Sequence, residues 1–424
     1  MKQHKRKLAL LAAAILACSA AGCAGTQDQS SAQSQSQLWV VDNSVDVQQD
    51  YVMENPSAIG DLTTPVRVIS KEEQAASQHA EEADEVRAIW LSYLDLKPML
   101  LNSDDSSVGE EQFTKNIEQA FDNVKALGLN TVIAQVRPFS DALYESELFP
   151  WSYLAGGEEG IDPGFDPLEI MVEEAHERGL RLEAWLNPYR VYNGAITYNP
   201  ASKKAQQLIV DGVREIVENY EVDGIHFDDY FYPTADVAFD AASYAQYQTG
   251  GGTMSLADWR RENVNQLVRA VYAAVKEIDP EVVFGISPQG NMENNYDKQF
   301  IDVEAWLTED GYTDYICPQI YFGFDNSTYP YAETVEAWSD LIENDVQLYI
   351  GLSPYKIGTE DTYAGSGRWE WANSGDILAR QVDTARQAEH YRGFSLFRYD
   401  SVFQPQSGVK AAVQEEIDSL KQVL

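Results

Sequence analysis

The apolar positions of this chain fall into eight short runs, and their spacing predicts the fold. The runs are VRAIWLSYL (86–94), NTVIAQVRP (130–138), LRLEAWLNP (180–188), VDGIHFDD (222–229), EVVFGISPQ (281–289), TDYICPQIYF (313–322), VQLYIGLSP (346–354) and YRGFSLFRY (391–399). Nearly all are continuously apolar rather than alternating, as expected of strands buried on both faces of a parallel sheet. The stretches between them repeat with a helical period. They are EEQFTKNIEQAFDNVKALG, FDPLEIMVEEAHERG, SKKAQQLIVDGVREIVENY, LADWRRENVNQLVRAVYAAVKEIDP, AETVEAWSDLIEND and ILARQVDTARQAEHY, with a closing helix at 407–424. Gly128 and Gly179 follow the first two of these, where a helix C-cap is expected. Eight β-then-α units in one chain predict an α/β fold, a (β/α)8 TIM barrel over residues 83–424. A doubly wound open sheet is the competing arrangement, and no glycine-rich phosphate loop after the first strand favours it.

Before the barrel the pattern changes twice. MKQHKRK is a basic leader, and LALLAAAILACSAAGC is a short apolar run ending in small residues and a cysteine. This predicts an export signal over residues 1–22 rather than a membrane span. SAAGC resembles a bacterial lipoprotein signal with Cys23 as the lipidated residue, which implies a lipid anchor to the membrane on the cell-wall side. Ala20 stands where leucine is usual, and Cys18 and cleavage without lipid are the alternatives. Residues 23–82 read as a tether: AGTQDQSSAQSQSQ is Ser/Gln-rich, and the rest is acidic spacer with a few β-like pieces, one of which could pair elsewhere.

Composition narrows the partners. The 424 residues are 44% hydrophobic and 11% aromatic, enough for a large core, and the formal net charge is −38. Loss of Lys2, Lys5, Arg6 and Lys7 with the leader takes the mature chain to −42. Nucleic acid is excluded as a partner, since phosphate binding needs a basic footprint. Cys317 is the one cysteine beyond the leader, so an intramolecular disulfide is not expected. No oligomeric state is implied.

In a TIM barrel the site lies at the C-terminal ends of the strands. Those ends carry Asp95, then Gln135, Arg137 and Asp141, then Asn187 and Arg190. They continue with His226, Asp228, Asp229 and Tyr230, with Gln289, Asn291 and Glu293, with Gln319 and Tyr321, with Tyr355 and Lys356, and with Arg398 and Asp400. Phe139, Trp151, Trp185, Tyr189, Tyr192, Phe231, Tyr232, Phe322 and Phe324 accompany them. Acids, amides and aromatic rings at one rim suit a polysaccharide, whose hydroxyls need acceptors and whose C–H faces need rings. Core packing is the competing account of each ring. Arg137, Arg190, Lys356 and Arg398 would make the cleft locally basic.

The fourth run ends at two adjacent acids, which are costly to desolvate. Strand alternation puts His226 and Asp228 on one face and Asp229 on the other. With His226 and Asp228 facing the axis, Asp228 sits in the mouth. Glycoside hydrolysis needs two carboxyl groups astride the bond, and crowded carboxyls separate in pKa. A structural ion pair of Asp228 with Arg137 or Arg190 is the alternative, and a histidine such as His226 is more often a hydrogen-bonded core residue than a catalyst. A divalent cation on Asp228, Asp229 and Asp95 is weaker, and no His/Cys spacing supports zinc. No G-x-S-x-G elbow is present. No metal and no cofactor are expected.

VRAIWLSYLDL, NTVIAQVRPFSDALYESELFPWS, GFDPLEIMVEEAHERGLRLEAWLNPYR, VDGIHFDDYFYP, FGISPQGN and DYICPQIYFGF together resemble the glycosyl hydrolase-like family ten of bacterial lipoproteins. The resemblance runs from Val86 to Tyr399. It implies a glycosidase of the barrel superfamily acting on a cell-wall glycan. One branch of the family acts at the division site on peptidoglycan strands lacking stem peptides. It implies Asp228 as leading catalytic carboxylate with Asp229 beside it. Asp95, Arg137, Asn187, Arg190, His226, Tyr230, Gln289, Asn291, Gln319, Tyr321 and Arg398 are then the expected substrate-binding set. The fourth strand also resembles the chitinase motif Asp-Gly-x-Asp-x-Asp-x-Glu, but Tyr230 stands at the final acid. The second carboxyl must therefore come from Asp229, Asp95, Glu293 or Asp400. Glu183 stands where a histidine is expected. Another polysaccharide as substrate, or a non-catalytic glycan-binding barrel, remain open.

Overall fold

The computed structural model describes residues 39–41, 85–192 and 196–424, and in it the eight runs become eight strands. They are β1 Val86–Leu91, β2 Thr131–Arg137, β3 Arg181–Leu186, β4 Gly224–Phe227, β5 Val283–Ile286, β6 Tyr315–Ile316, β7 Gln347–Leu352 and β8 Tyr391–Leu396. Each pairs in parallel with the next, and β8 pairs with β1 to close the barrel. One principal helix follows each strand. These are α1 Glu110–Leu127, α2 Pro167–Glu177, α3 Lys203–Asn219, α4 Leu256–Ile278, α5 Val303–Thr308, α6 Tyr331–Asp340, α7 Ile377–Ala385 and α8 Lys410–Leu420.

The expected glycine caps form, and they do the same job twice. Gly128 (φ +96°) and Gly179 (φ +66°) take the left-handed conformation that glycine adopts at little cost. After α1, Leu129 N–H donates to Val124 C=O at 3.2 Å and Gly128 N–H to Lys125 C=O at 3.0 Å. After α2, Leu180 N–H donates to Ala175 C=O and Gly179 N–H to His176 C=O, both at 2.9 Å. These paired bonds are the Schellman arrangement, which satisfies the last helical carbonyls. Leu129 and Leu180 are then buried and lead straight into β2 and β3.

Alternation divides the strand residues between two cores. Ile89, Val132, Ala134, Leu182, Ile225 and Phe227 face the helices, among them Phe113, Ile117, Leu168, Ile209 and Leu267. Trp90, Ile133, Trp185, Tyr315, Cys317 and Tyr349 fill the barrel. Each large apolar side chain so buried contributes roughly 1.5–3 kcal/mol. The Tyr315 and Tyr349 rings stack at 4.2 Å. Gly285 makes that crossing possible: a Cβ there would lie 1.9 Å from Cζ of Tyr315.

Two expectations shift. The first strand ends at Leu91 rather than running to residue 94, because Ser92 starts a helix, Tyr93–Leu100. The Asp95 carboxylate accepts from Ser92 N–H at 2.8 Å and from its Oγ–H at 2.7 Å, which locks that turn. Beyond β3, Arg190–Tyr192 pairs antiparallel with Ile196–Tyr198, and Trp39–Val41 adds a third, parallel strand. The rest of the tether, the leader and Cys23 lie outside the described residues.

Candidate active site

β4 carries the acids to the mouth. Asp228 is 3% exposed. Its Oδ1 accepts from Tyr230 N–H at 3.1 Å, and its Oδ2 has no hydrogen-bond partner. Burial pushes its carboxyl well above the usual range, and the charge of Asp229 adds to the push. Tyr230 N–H, the Arg190 guanidinium and the Trp185 indole oppose that shift without cancelling it. Asp229 is half-buried and differently held: its Oδ2 accepts from the amides of Gln289 at 3.1 Å and Gln299 at 3.3 Å. Adjacent in sequence, the two acids therefore occupy different environments, one buried and one half-buried on two side-chain amides.

β3 runs beside β4, with Trp185 opposite His226 and Leu186 opposite Phe227. Continued by one step, that register sets Asn187 alongside Asp228. Asn187 Oδ1 accepts from Gln135 Nε2 at 2.8 Å, but its buried Nδ2 has no partner, and the Trp185 indole turns towards the Asp228 carboxyl. One buried donor, Asn187 Nδ2, and one buried acceptor, Asp228 Oδ2, thus lack a close hydrogen bond at the ends of neighbouring strands. Buried polar atoms are nearly always paired, so such a group calls for an explanation, and a polar ligand supplies one. Arg190 lies between the rings of Phe139 (4.9 Å) and Tyr230 (4.7 Å). Tyr321 also senses both acids, and burial pushes its phenol up. Gln319 stands next to Gln289 through a parallel bridge and donates from Nε2 to Ser287 C=O at 3.0 Å. The structure so brings together Asp228, Asp229, Asn187, Arg190, Tyr230, Gln289, Gln319 and Tyr321.

His226 lies beneath this group and is fully buried. Trp90 Nε1–H donates to its Nε2 at 3.2 Å, and Ser287 Oγ lies 3.0 Å from the same nitrogen. An indole N–H can only donate, so Nε2 is the acceptor and the ring proton is on Nδ1. From there it donates to Tyr315 Oη at 2.7 Å, and Tyr315 in turn donates to Glu183 Oε2. Both imidazole nitrogens are used inside the barrel, which leaves none for a substrate. Burial drives the His226 pKa down to about 3, so it stays neutral. The unusual Glu183 is the acceptor at the foot of this column, and burial pushes its carboxyl up.

Five other expected residues are placed elsewhere. Arg137 turns outward, because the β2–β3 register slips between Gln135 and Arg137. Its guanidinium sits 4.4 Å over the Phe149 ring and against α3, where a Cβ on Gly212 would meet Nη1 at 2.2 Å. Asp95 and Arg398 form an ion pair at 2.5 Å, and Arg398 also reaches Asp400 at 2.6 Å, tying the ends of β1 and β8 together. Asn291 caps the helix Met292–Lys298 through Asn294 N–H and donates to Tyr329 Oη at 2.8 Å. Lys356 is held by Asp361 at 2.6 Å. The expected basic cleft reduces to Arg190 near the acids. Among the described residues no three His, Cys, Asp or Glu side chains gather to hold a metal.

The glycosyl hydrolase-like 10 family model matches residues 85–193 and 187–366. Glycosyl hydrolase YngK of Bacillus subtilis is 32% identical over 80% of this chain and 73% of its own length. Glycosyl hydrolase DigH of Escherichia coli K12 is 34% identical over 77% of this chain and 86% of its own. The chain belongs to the glycosyl hydrolase-like 10 family. The catalytic domain of a β-amylase from Paenibacillus polymyxa shares the fold, with a TM-score of 0.52 at 11% identity, covering 80% of this chain and 99% of that one. Membership of this family supports glycan hydrolysis in general and a polysaccharide substrate.

Within this family member the aromatic rim differs from the expected one. Phe139, Trp185, Tyr189, Phe231 and Tyr232 are buried, and Trp151, Phe322 and Phe324 partly so. They are packing residues: Phe231 meets Trp306 at 5.8 Å and Tyr232 meets Phe300 at 5.2 Å. Of the three rings after the acids only Tyr230, 47% exposed, projects outward. Sequence reasoning also passed over Arg260. It is buried in α4 and grips Asp240 through Nε at 2.9 Å and Nη2 at 2.5 Å, while Nη2 also donates to Asp236 C=O at 2.7 Å. It pins the long β4–α4 loop that starts at Asp228. An arginine on a helix face gave no sign of this, since its partner is twenty residues away in a loop.

Proposed function

We propose that the chain is an exported, lipid-anchored glycoside hydrolase that cleaves peptidoglycan strands lacking stem peptides. Asp228 is its general acid. The observation that carries this is the buried Asp228 carboxyl, whose Oδ2 makes no close hydrogen bond, beside the unspent Nδ2 of Asn187. A carboxyl kept protonated at the pH where the other is charged can give its proton to the leaving glycosidic oxygen. Asp229, steadied by two amide donors, is the second carboxyl. Asn187, Arg190, Tyr230, Gln289, Gln319 and Tyr321 hold the sugar. A glycan strand stripped of its peptides bears free lactyl carboxylates, and Arg190 is the cation beside the acids to meet one. YngK and DigH, both named glycosyl hydrolases, support the reaction class. The leader and Cys23 support export and anchoring.

The test is digestion of peptide-free glycan strands with wild type and Asp228→Asn, read by mass spectrometry. Wild type releases fragments with new reducing ends, and the variant is slower by about 10²–10⁴-fold, the usual contribution of a positioned acid. An Asp228→Asn variant with unchanged turnover would refute the assignment. Fragments from a different polysaccharide alone would move the substrate and leave the acid in place.

A further inference from the structure

Every large hydrophobic side chain left exposed among the described residues sits in a βα connection, on the rim that carries the acids. Four of them are aromatic: Tyr230, Tyr296, Tyr363 and Trp369. Tyr363 and Trp369 are the most exposed of these, at 69% and 54%, and both belong to the β7–α7 loop. That loop is not slack. Glu370 accepts from Phe324 N–H at 3.0 Å and Asp325 N–H at 2.9 Å. Trp371 is fully buried, its C=O accepting from Gly358 N–H at 2.9 Å, and Asp361 N–H donates to Arg368 C=O at 2.9 Å. Trp369 is therefore held outward by an anchored backbone with a buried tryptophan two residues on. Beside it runs an open groove of about 720 Å³ with polar walls, including Asp325, Ser366, Asn373, Asp376, Arg380 and, from α8, Glu415.

We propose that this groove is a second glycan-binding site, separate from the acid pair, which holds another stretch of the polymer with a pyranose ring stacked on Trp369. The polymer's identity rests on the hydrolase proposal; the site itself does not. A wet-faced indole on an anchored backbone, with the Arg368 guanidinium 5.6 Å from its ring centroid, binds a sugar's C–H face at a reduced ordering cost. Hydroxyls and carboxylates along the walls suit sugar hydroxyls. Four acids, Asp325, Glu370, Asp376 and Glu415, against one arginine do not fit nucleic acid, which bears a phosphate on every nucleotide, whereas a glycan strand carries a carboxylate on alternate sugars at most and leaves neutral rings between them. A basic peptide would use the acids but has no need of the exposed ring, which is why the glycan is preferred. Such a site favours long chains over short ones by raising the local concentration of bonds to be cut.

The test is affinity electrophoresis of the full chain through gels containing peptide-free glycan strands. The Asp228→Asn background prevents turnover, and chitohexaose and oligolysine serve as competing probes in fluorescence titration. Retardation by the glycan is expected to weaken about tenfold on adding Trp369→Ala and to return largely with Trp369→Tyr, which keeps a ring. Retardation unchanged by Trp369→Ala, or a Trp369-dependent signal with oligolysine and none with either glycan, would overturn the proposal. Wild type that binds in a Trp369-dependent way yet releases no fragments would refute the hydrolase reading and leave this site standing.

Discussion

Asp228 and Arg137 show how far strand alternation carries at the level of single residues. The period of two correctly turned His226 and Asp228 inward, because β4 is regular from Gly224 to the acids. Position at a strand end placed Arg137 in the cleft and failed, because the register slip after Gln135 rotates it outward. A bulge leaves no mark in an apolar run, so no pattern could have shown it. Polarity at a strand end also hides the difference between a residue awaiting a ligand and one already satisfied. Asp95 and Arg398 are spent on each other, while Asn187 and Asp228 are not. The neighbouring loop gives a residue whose titration can be followed. Asp141 is 5% exposed with an unpartnered Oδ1, and burial pushes its pKa up to about 6, with Ser152 opposing. A raised folded pKa adds stability that is complete below the ordinary value of 3.8 and lost as pH rises through about 6. Asp141→Asn should match wild type near pH 3 and exceed it at pH 7, by on the order of 2 kcal/mol. Urea unfolding at a series of pH values reads this; equal stability of the two proteins at pH 7 would show that burial does not raise the Asp141 pKa.

Elements were more legible than residues. The eight strands follow from continuous apolar runs and the helices from their period, and Gly128 and Gly179 mark two helix ends in advance. What could not be read is the internal build of the βα loops, which contain short helices at Tyr93–Leu100, Ala241–Thr249 and Met292–Lys298. Their stability comes from long-range partners, and the β4–α4 loop is the clearest case. Arg260 and Asp240 are at most 1% exposed in their side chains. Removing one member of such a pair leaves a buried charge unpaired, which costs about 3–5 kcal/mol. Arg260→Ala should lose that much in urea unfolding, and exchange of backbone amides in residues 230–250 should quicken. The double variant Arg260→Met, Asp240→Leu should recover most of the loss, because neither charge is then buried. A double variant no better than Arg260→Ala would mean the packing of Arg260 against Tyr232 and Phe300, rather than its charge, holds the loop.

For the molecule as a whole, closure of the barrel was implied by the count of eight units, and charge was fixed by composition alone. The charge has a kinetic consequence that depends on the proposed substrate. With a net −38, and Arg137, Lys356 and Arg398 each committed away from the acids, long-range forces repel a polyanion. Peptide-free peptidoglycan strands carry a carboxylate on every lactyl group, whereas chitin oligomers carry none. Raising ionic strength from about 0.01 to about 0.15 M shortens the screening length from about 30 to about 8 Å. Over that range kcat/KM on peptide-free strands should rise several-fold as encounter is freed from repulsion, while the rate on a neutral oligomer stays flat. A fall in kcat/KM on the anionic strands would mean that attraction at Arg190 outweighs the field of the whole molecule. The comparison thus weighs one guanidinium, sandwiched between Phe139 and Tyr230, against the summed charge of the chain.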